Sequence, residues 1–309
     1  MDVGVVLPLA EYPRKQPSYV EIRELALQAE TAGFDSVWVF DHLLFRAPGE
    51  PTEGIWESWT VLSALAEATT RVRLGTLVLC TAFRNPAVLA KMAATLDEIC
   101  GGRLILGLGA GWHQPEFEAF GIPFDHRISR FEEALQVIVS MLRDGELDFE
   151  GRYIRLRGTQ LRPRAVRPPP VLVGGFRPRM LRLAARYGDM WNTCWFGAPS
   201  SLGEALAGIR AACADEGRSP ESLEITVGVN VVPVADGVPT ELPNYPVLAG
   251  TPAELANGLR GYTDLGVKHL ICNLNPHHAE VQQLLADAVR LYRADFGPGS
   301  IVPQRERKS

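Results

Sequence analysis

The sequence predicts an α/β fold of the closed (β/α)8 TIM-barrel class, as one domain over residues 1–309 with insertion segments near 45–55 and 144–170. Three observations carry that prediction. Short apolar, β-rich runs alternate with longer amphipathic ones, and the alternation counts to eight pairs in register. A chain of 309 residues with 46% apolar and 22% charged residues is long and apolar enough for one large parallel barrel. The open doubly wound alternative lacks its mark, because Leu7-Pro8-Leu9-Ala10 follows the first strand where a glycine fingerprint would stand.

Residues 3–7 read as the first strand, and helical periodicity over 19–32 stops at Gly33, a suitable C′ glycine. The second strand spans 36–40 (SVWVF) and runs into Asp41 and His42. The Pro- and Gly-rich insertion follows, then a helix over 56–68 and the third strand over 73–79. Pro86 opens the next helix, where its missing N–H costs nothing, and Gly101-Gly102 end it. The fourth strand is 103–109 (RLILGLG), with helical pattern at 116–120 and 130–142.

The polar excursion over 144–170 is too long for a plain connection and reads as a lid or insertion, with a short hairpin over 149–156. Strands at 171–174, 189–192, 224–232 and 269–273 then alternate with helices at 179–187, 201–216, 252–265 and 279–292. Thr251-Pro252-Ala253-Glu254 combines an N-cap, a proline at N1 and an acid at N3.

A net charge of −5 with Lys and Arg spread along the chain argues against nucleic acid or an anionic membrane as partner. The basic run 305–308 reads as a frayed end. Five cysteines form no C-x-x-C pair and cannot all pair with one another, which suits a reducing compartment. No leader pattern opens the sequence and no apolar run reaches the ~18 residues of a membrane span, so a cytoplasmic location is expected.

In a barrel, chemistry gathers where strands end. That rule selects Asp41 and His42, Cys80 and Thr81, residues 109–116, residues 174–177, residues 192–195, Asn230 and Asn273. His42 is the candidate for proton handling because imidazole titrates near neutrality, although a histidine satisfied by its own loop would look the same. Cys80 has no base beside it and reads as a structural thiol.

Gly107-Leu108-Gly109-Ala110-Gly111 allows either tight packing or the close approach of a flat ring, on which Trp112 could stack. Gly174-Gly175 with Phe176 and Arg177 before a helix is either an anion seat or an ordinary turn. No metal site is expected: there is no H-x-H on the first strand, and His277-His278 are adjacent side chains that diverge at a helix start.

The run 84–138, RNPAVLAKMAATLDEICGGRLILGLGAGWHQPEFEAFGIPFDHRISRFEEALQVI, resembles the luciferase-like oxidoreductases, and shorter segments extend the likeness over nearly the whole chain. FDHL ending at Leu43, LGTLVLCTAFRNP over 74–86 and GAGWHQPEFEAFG over 109–121 resemble the branch that uses the deazaflavin coenzyme F-420. The other branch uses reduced FMN with molecular oxygen.

For this chain the resemblance implies a hydride transfer between coenzyme F-420 and a small organic substrate, with His42 as the catalytic residue beside the ring. It implies coenzyme contacts at Asp41, His42, Leu77, Val78, Gly109, Ala110, Gly111, Trp112, Gly174, Gly175, Phe176 and Arg177. It also implies a cis Leu77-Val78 peptide in a bulge behind the ring, and a homodimer. One departure stands out. Sugar-phosphate dehydrogenases of this branch carry a glutamate directly after the strand-four glycines, where this chain has Trp112, which disfavours acid catalysis from that position and a sugar phosphate as substrate. The same-fold alternative is an FMN monooxygenase fed by a separate reductase; a barrel metal hydrolase or a non-catalytic binding protein is the alternative of another class.

Overall fold

The computed structural model describes residues 1–11, 16–164, 167–235 and 242–294, so the basic run at 305–308 lies outside the described residues. Eight parallel strands form the barrel: β1 (Asp2–Val6), β2 (Ser36–Val39), β3 (Arg73–Thr76), β4 (Leu104–Gly109), β5 (Val171–Gly174), β6 (Met190–Phe196), β7 (Glu224–Pro233) and β8 (His269–Leu274). Each pairs with the next, β8 pairs with β1, and pairing of Val171 to Val173 with Leu106 to Leu108 completes the ring, which excludes an open sheet.

A helix follows every strand: α1 (Tyr19–Ala32), α2 (Ser58–Ala68), α3 (Pro86–Ile99), α4 (Arg127–Asp144), α5 (Pro178–Tyr187), α6 (Gly203–Asp215), α7 (Pro252–Asp264) and α8 (Ala279–Ala294). Their ends follow local chemistry. Ser18 with Glu21 and Thr251 with Glu254 form complete capping boxes, and Gly33 closes α1 at φ 92°.

Apolar side chains that alternate along the strands divide into two sets. Val5, Val37, Leu74, Leu106, Val173, Val227 and Leu270 face outward onto the helices, in one core with Ile22, Leu62, Leu89 and Leu135. Val6, Trp38, Leu77, Ile105, Leu172, Met190 and Ile271 form a separate cluster inside the barrel. Trp38 is accommodated because Gly4 and Gly75 flank it; a Cβ on Gly75 would lie 2.1 Å from its ring.

Several boundaries differ from the sequence reading. The third strand is not continuous over 73–79: it stops at Thr76, and Leu79–Cys80 resumes pairing with β4 after a bulge. β6 runs past 192 to Phe196 through an irregularity after Thr193. The insertion hairpin is longer than expected, Glu146–Glu150 against Arg155–Gln160, and Glu133 of α4 anchors it by accepting the N–H groups of Arg152, Tyr153 and Ile154. The helical pattern after β4 becomes a six-residue helix, Gln114–Ala119. Among the described residues no helix is long and apolar enough to cross a membrane.

Candidate active site

The C-terminal mouth of the barrel is shaped first by the bulge after β3. The Leu77–Val78 peptide is cis. Gly75 faces Ile105 and Leu79 faces Leu108, so Thr76, Leu77 and Val78 oppose two residues of β4. The Thr76 hydroxyl covers the gap, donating to the Gly107 carbonyl at 2.8 Å and accepting the Gly107 N–H at 2.9 Å.

Leu77 turns into the barrel cluster, and Val78 rises over the glycines. A Cβ on Gly107 would meet the Thr76 carbonyl at 1.9 Å, and Cβ atoms on Gly109 and Gly174 would meet Val78 methyls at 2.6 and 3.0 Å. Of the two readings open for the strand-four glycines, tight packing accounts for Gly107 and Gly109, whose Cβ atoms would collide with Thr76 and Val78. These glycines clear the space that Val78 fills. Gly111, at φ 73°, is required separately, since a Cβ there would meet Cys80 Sγ and Phe117.

His42 stands at the other side of the mouth with its side chain 14% exposed. Its Nδ1 lies 3.0 and 3.2 Å from the two carboxylate oxygens of Glu116, and Glu116 also accepts the Leu43 N–H at 2.9 Å. A carboxylate only accepts, so Nδ1 carries a proton towards Glu116 and Nε2 is the ring nitrogen left for other groups. Nε2 has no protein partner among the described residues. Phe45 packs on the imidazole at 4.5 Å between centroids, and Trp112 meets it edge-on at 5.4 Å.

His113, singled out by the sequence only as part of the run 109–116, lies 6.3 Å from the His42 ring, and its Nε2 accepts the Arg46 N–H at 3.1 Å. That bond ties the base of the 45–55 insertion to the site. Glu116 was also missed as an individual. Glu116 and Glu118 lie on one short helix; Glu116 turns inward and is 1% exposed, whereas Glu118 bonds Gln114 at the surface. The sequence does not say which acid turns in. The departure at Trp112 is thus partly offset, because a carboxylate four residues later reaches the imidazole.

Asp41 does not sit as the resemblance implied. Its carboxylate is buried in the wall behind the mouth, taken up by Arg84, Ser58 and the Cys80 N–H. Burial pushes the Cys80 thiol up to about 12, which keeps it protonated and inert. Asn273 donates to Asn230 across β8 and β7, and Asn192 donates to the Thr226 hydroxyl, so these amides are engaged within the protein. Cys194 of β6 is exposed, yet desolvation by the protein around it raises its thiol to about 11. Burial, and then His278 beside it, lower His277 to about 4, opposed by a bond to the Val6 backbone at the end of β1.

The remaining candidates form an open, apolar rim. Trp112 is 63% exposed and Phe176 is 60% exposed, while Ala110 is buried between Gly109 and Gly111. Gly174 ends β5 and Gly175 follows it, Arg177 is the N-cap of α5, and its guanidinium lies 5.1 Å from the Phe176 ring centroid. Val78, two exposed aromatic rings, an arginine and a helix N-terminus suit a planar ring carrying an anionic tail.

Comparison with known proteins agrees with this architecture. Residues 1–236 match the family described as luciferase-like monooxygenase. The phthiodiolone/phenolphthiodiolone dimycocerosates ketoreductase of Mycobacterium tuberculosis is 35% identical over 227 residues, which is 67% of this chain but only 59% of that protein. The F420-dependent glucose-6-phosphate dehydrogenase of Kineococcus radiotolerans is 29% identical over 323 residues, covering 88% of this chain and 93% of that one. An F420-dependent secondary alcohol dehydrogenase, solved with an F420–acetone adduct, superimposes with a TM-score of 0.79 at 22% identity over 94% of this chain and 99% of its own.

Proposed function

The chain belongs to the luciferase-like monooxygenase family, and on that premise we propose that it is an oxidoreductase moving a hydride between coenzyme F-420 and a small, largely apolar organic substrate. The observation that carries this reading is the His42–Glu116 pair, with Nδ1 held at 3.0 Å and Nε2 left for a reacting group. The relatives named for F420-dependent reactions support the choice of coenzyme.

When bound, the deazaflavin supplies or accepts the hydride. Val78, Ala110 and Trp112 would hold the ring, and Gly174, Gly175, Phe176 and Arg177 its anionic end. The protonated His42 ring donates from Nε2 to a developing alkoxide, and the neutral ring accepts a hydroxyl proton in the reverse direction. Glu116 keeps the ring oriented and stabilises its charged form. Phe45 packed on the imidazole, with the Trp112 and Phe176 rings at the rim, gives the site apolar surfaces that favour an uncharged substrate.

The test is a fluorescence titration with coenzyme F-420 and with FMN, followed by turnover of a panel of ketones and alcohols read at the deazaflavin absorbance. Saturable binding of F-420 with turnover is expected. Tight FMN binding with none for F-420 would favour the monooxygenase alternative, and binding of neither at micromolar concentrations would overturn the oxidoreductase reading.

A further inference from the structure

The Asp41 carboxylate makes four hydrogen bonds, two at each oxygen. Oδ1 accepts from Ser58 Oγ at 2.7 Å and from Arg84 Nη2 at 3.0 Å; Oδ2 accepts from the Cys80 N–H at 2.8 Å and from Arg84 Nη1 at 2.7 Å. Both lone pairs of each oxygen are used, so none remains for a ligand. Arg84 in turn meets Glu57, whose carboxylate caps α2 through the N–H groups of Trp59 and Thr60.

Three chain segments thus converge on one buried ion pair. They are the end of β2, which leads into His42; the start of α2; and residues 80–84, which begin where the Val78 bulge ends. Asp41 is 1% and Arg84 is 11% exposed at the side chain. A bidentate pair this shielded is geometrically strict, and removing one partner leaves an uncompensated buried charge.

We infer that Asp41, clamped by Arg84, is a positioning residue that fixes the distance across the mouth between the His42 imidazole and the Val78 bulge. The assignment rests on the reading of His42 as the proton-handling group. It replaces a direct coenzyme contact by Asp41 with an indirect role: one carboxylate sets both walls between which the reacting atoms must fit.

The experiment combines Asp41→Asn with His42→Asn in a double-mutant cycle, with nitrogen NMR of histidine-labelled protein as a second readout that needs no coenzyme. If Asp41 acts through His42, D41N lowers kcat by about 30-fold in the wild-type background and by less than about threefold in the H42N background. D41N also shifts the His42 ring nitrogens. Multiplicative losses in a folded variant, or unmoved His42 resonances, would overturn the inference. Should D41N fail to fold, R84K, which keeps the charge but loses the fork, is put through the same cycle and judged by the same outcomes. Absence of turnover with any coenzyme counts against the proposed reaction, while the NMR shift still decides the positioning role.

Discussion

His42 Nδ1 lies 3.0 Å from Glu116 Oε1, and that carboxylate is brought to it by a helix 74 residues further along the chain. The pair fixes which nitrogen of the imidazole faces the mouth. His42→Asn is expected to lower kcat by about 10²- to 10⁴-fold, the usual worth of a positioned acid or base. Glu116→Gln is expected to lower kcat by at least about tenfold with a smaller effect on KM, because the tautomer is no longer enforced. Steady-state kinetics on both variants check this; an unchanged kcat in either removes the pair from the reaction.

Crowding around the bulge gives a prediction independent of chemistry. Gly109→Ala places a methyl 2.6 Å from Val78 Cγ2 and should cost about 1–3 kcal/mol. Val78→Ala in the same chain should recover most of that loss. Gly107→Ala meets the Thr76 backbone carbonyl at 1.9 Å, where trimming Val78 gives no relief. Urea unfolding of the three variants tests the pattern, and a G109A protein as stable as wild type would contradict it.

Trp112 offers the opposite case. Its side chain is 63% exposed, so Trp112→Ala should change stability by no more than about 0.5 kcal/mol. Loss of ring stacking should nevertheless weaken coenzyme binding by about tenfold. Equal coenzyme affinity in the variant would move the ring away from this rim.

His269 predicts how stability depends on pH. The ring is fully buried at the foot of β8, with Nε2 2.7 Å from Ser36 Oγ and Nδ1 without a partner among the described residues. Burial first, then the positive charges of Arg73 and the N-terminus, lower its pKa from 6.5 to about 3. The folded state holds it neutral while the unfolded chain takes up a proton below about pH 6.5. Stability is therefore full above that value and falls, by up to about 1.4 kcal/mol per pH unit, as the pH drops towards 3. His277, lowered to about 4, adds to the same window. His269→Phe should flatten the dependence of Tm on pH between 6.5 and 4.5; an unchanged slope would show that another group dominates.

The period of the apolar pattern made the barrel legible, because inward and outward residues must alternate along every strand and a helix must cover each crossing. Element count, capping at Ser18 and Thr251, and the strand-end position of His42 follow from local chemistry alone. The break in the third strand did not: residues 73–79 read as one strand, and only the family resemblance implied the bulge at Leu77-Val78.

Local pattern likewise marked Asp41, Gly109 and Trp112 as site residues without saying what each would face. Whether a glycine leaves room for a ligand or for Val78 depends on a strand that pairs with it, and whether Asp41 meets solvent or Arg84 depends on a turn 43 residues away. Glu116 and Glu118 are two residues apart and of one chemistry, and only the packing of their helix against the end of β2 decides which is buried against His42. The sequence determined the barrel and the strand ends at which chemistry collects, because both arise from short-range periodicity. Tertiary structure decided which side chains meet there, because contacts between distant segments are set by packing and charge pairing that no local window contains.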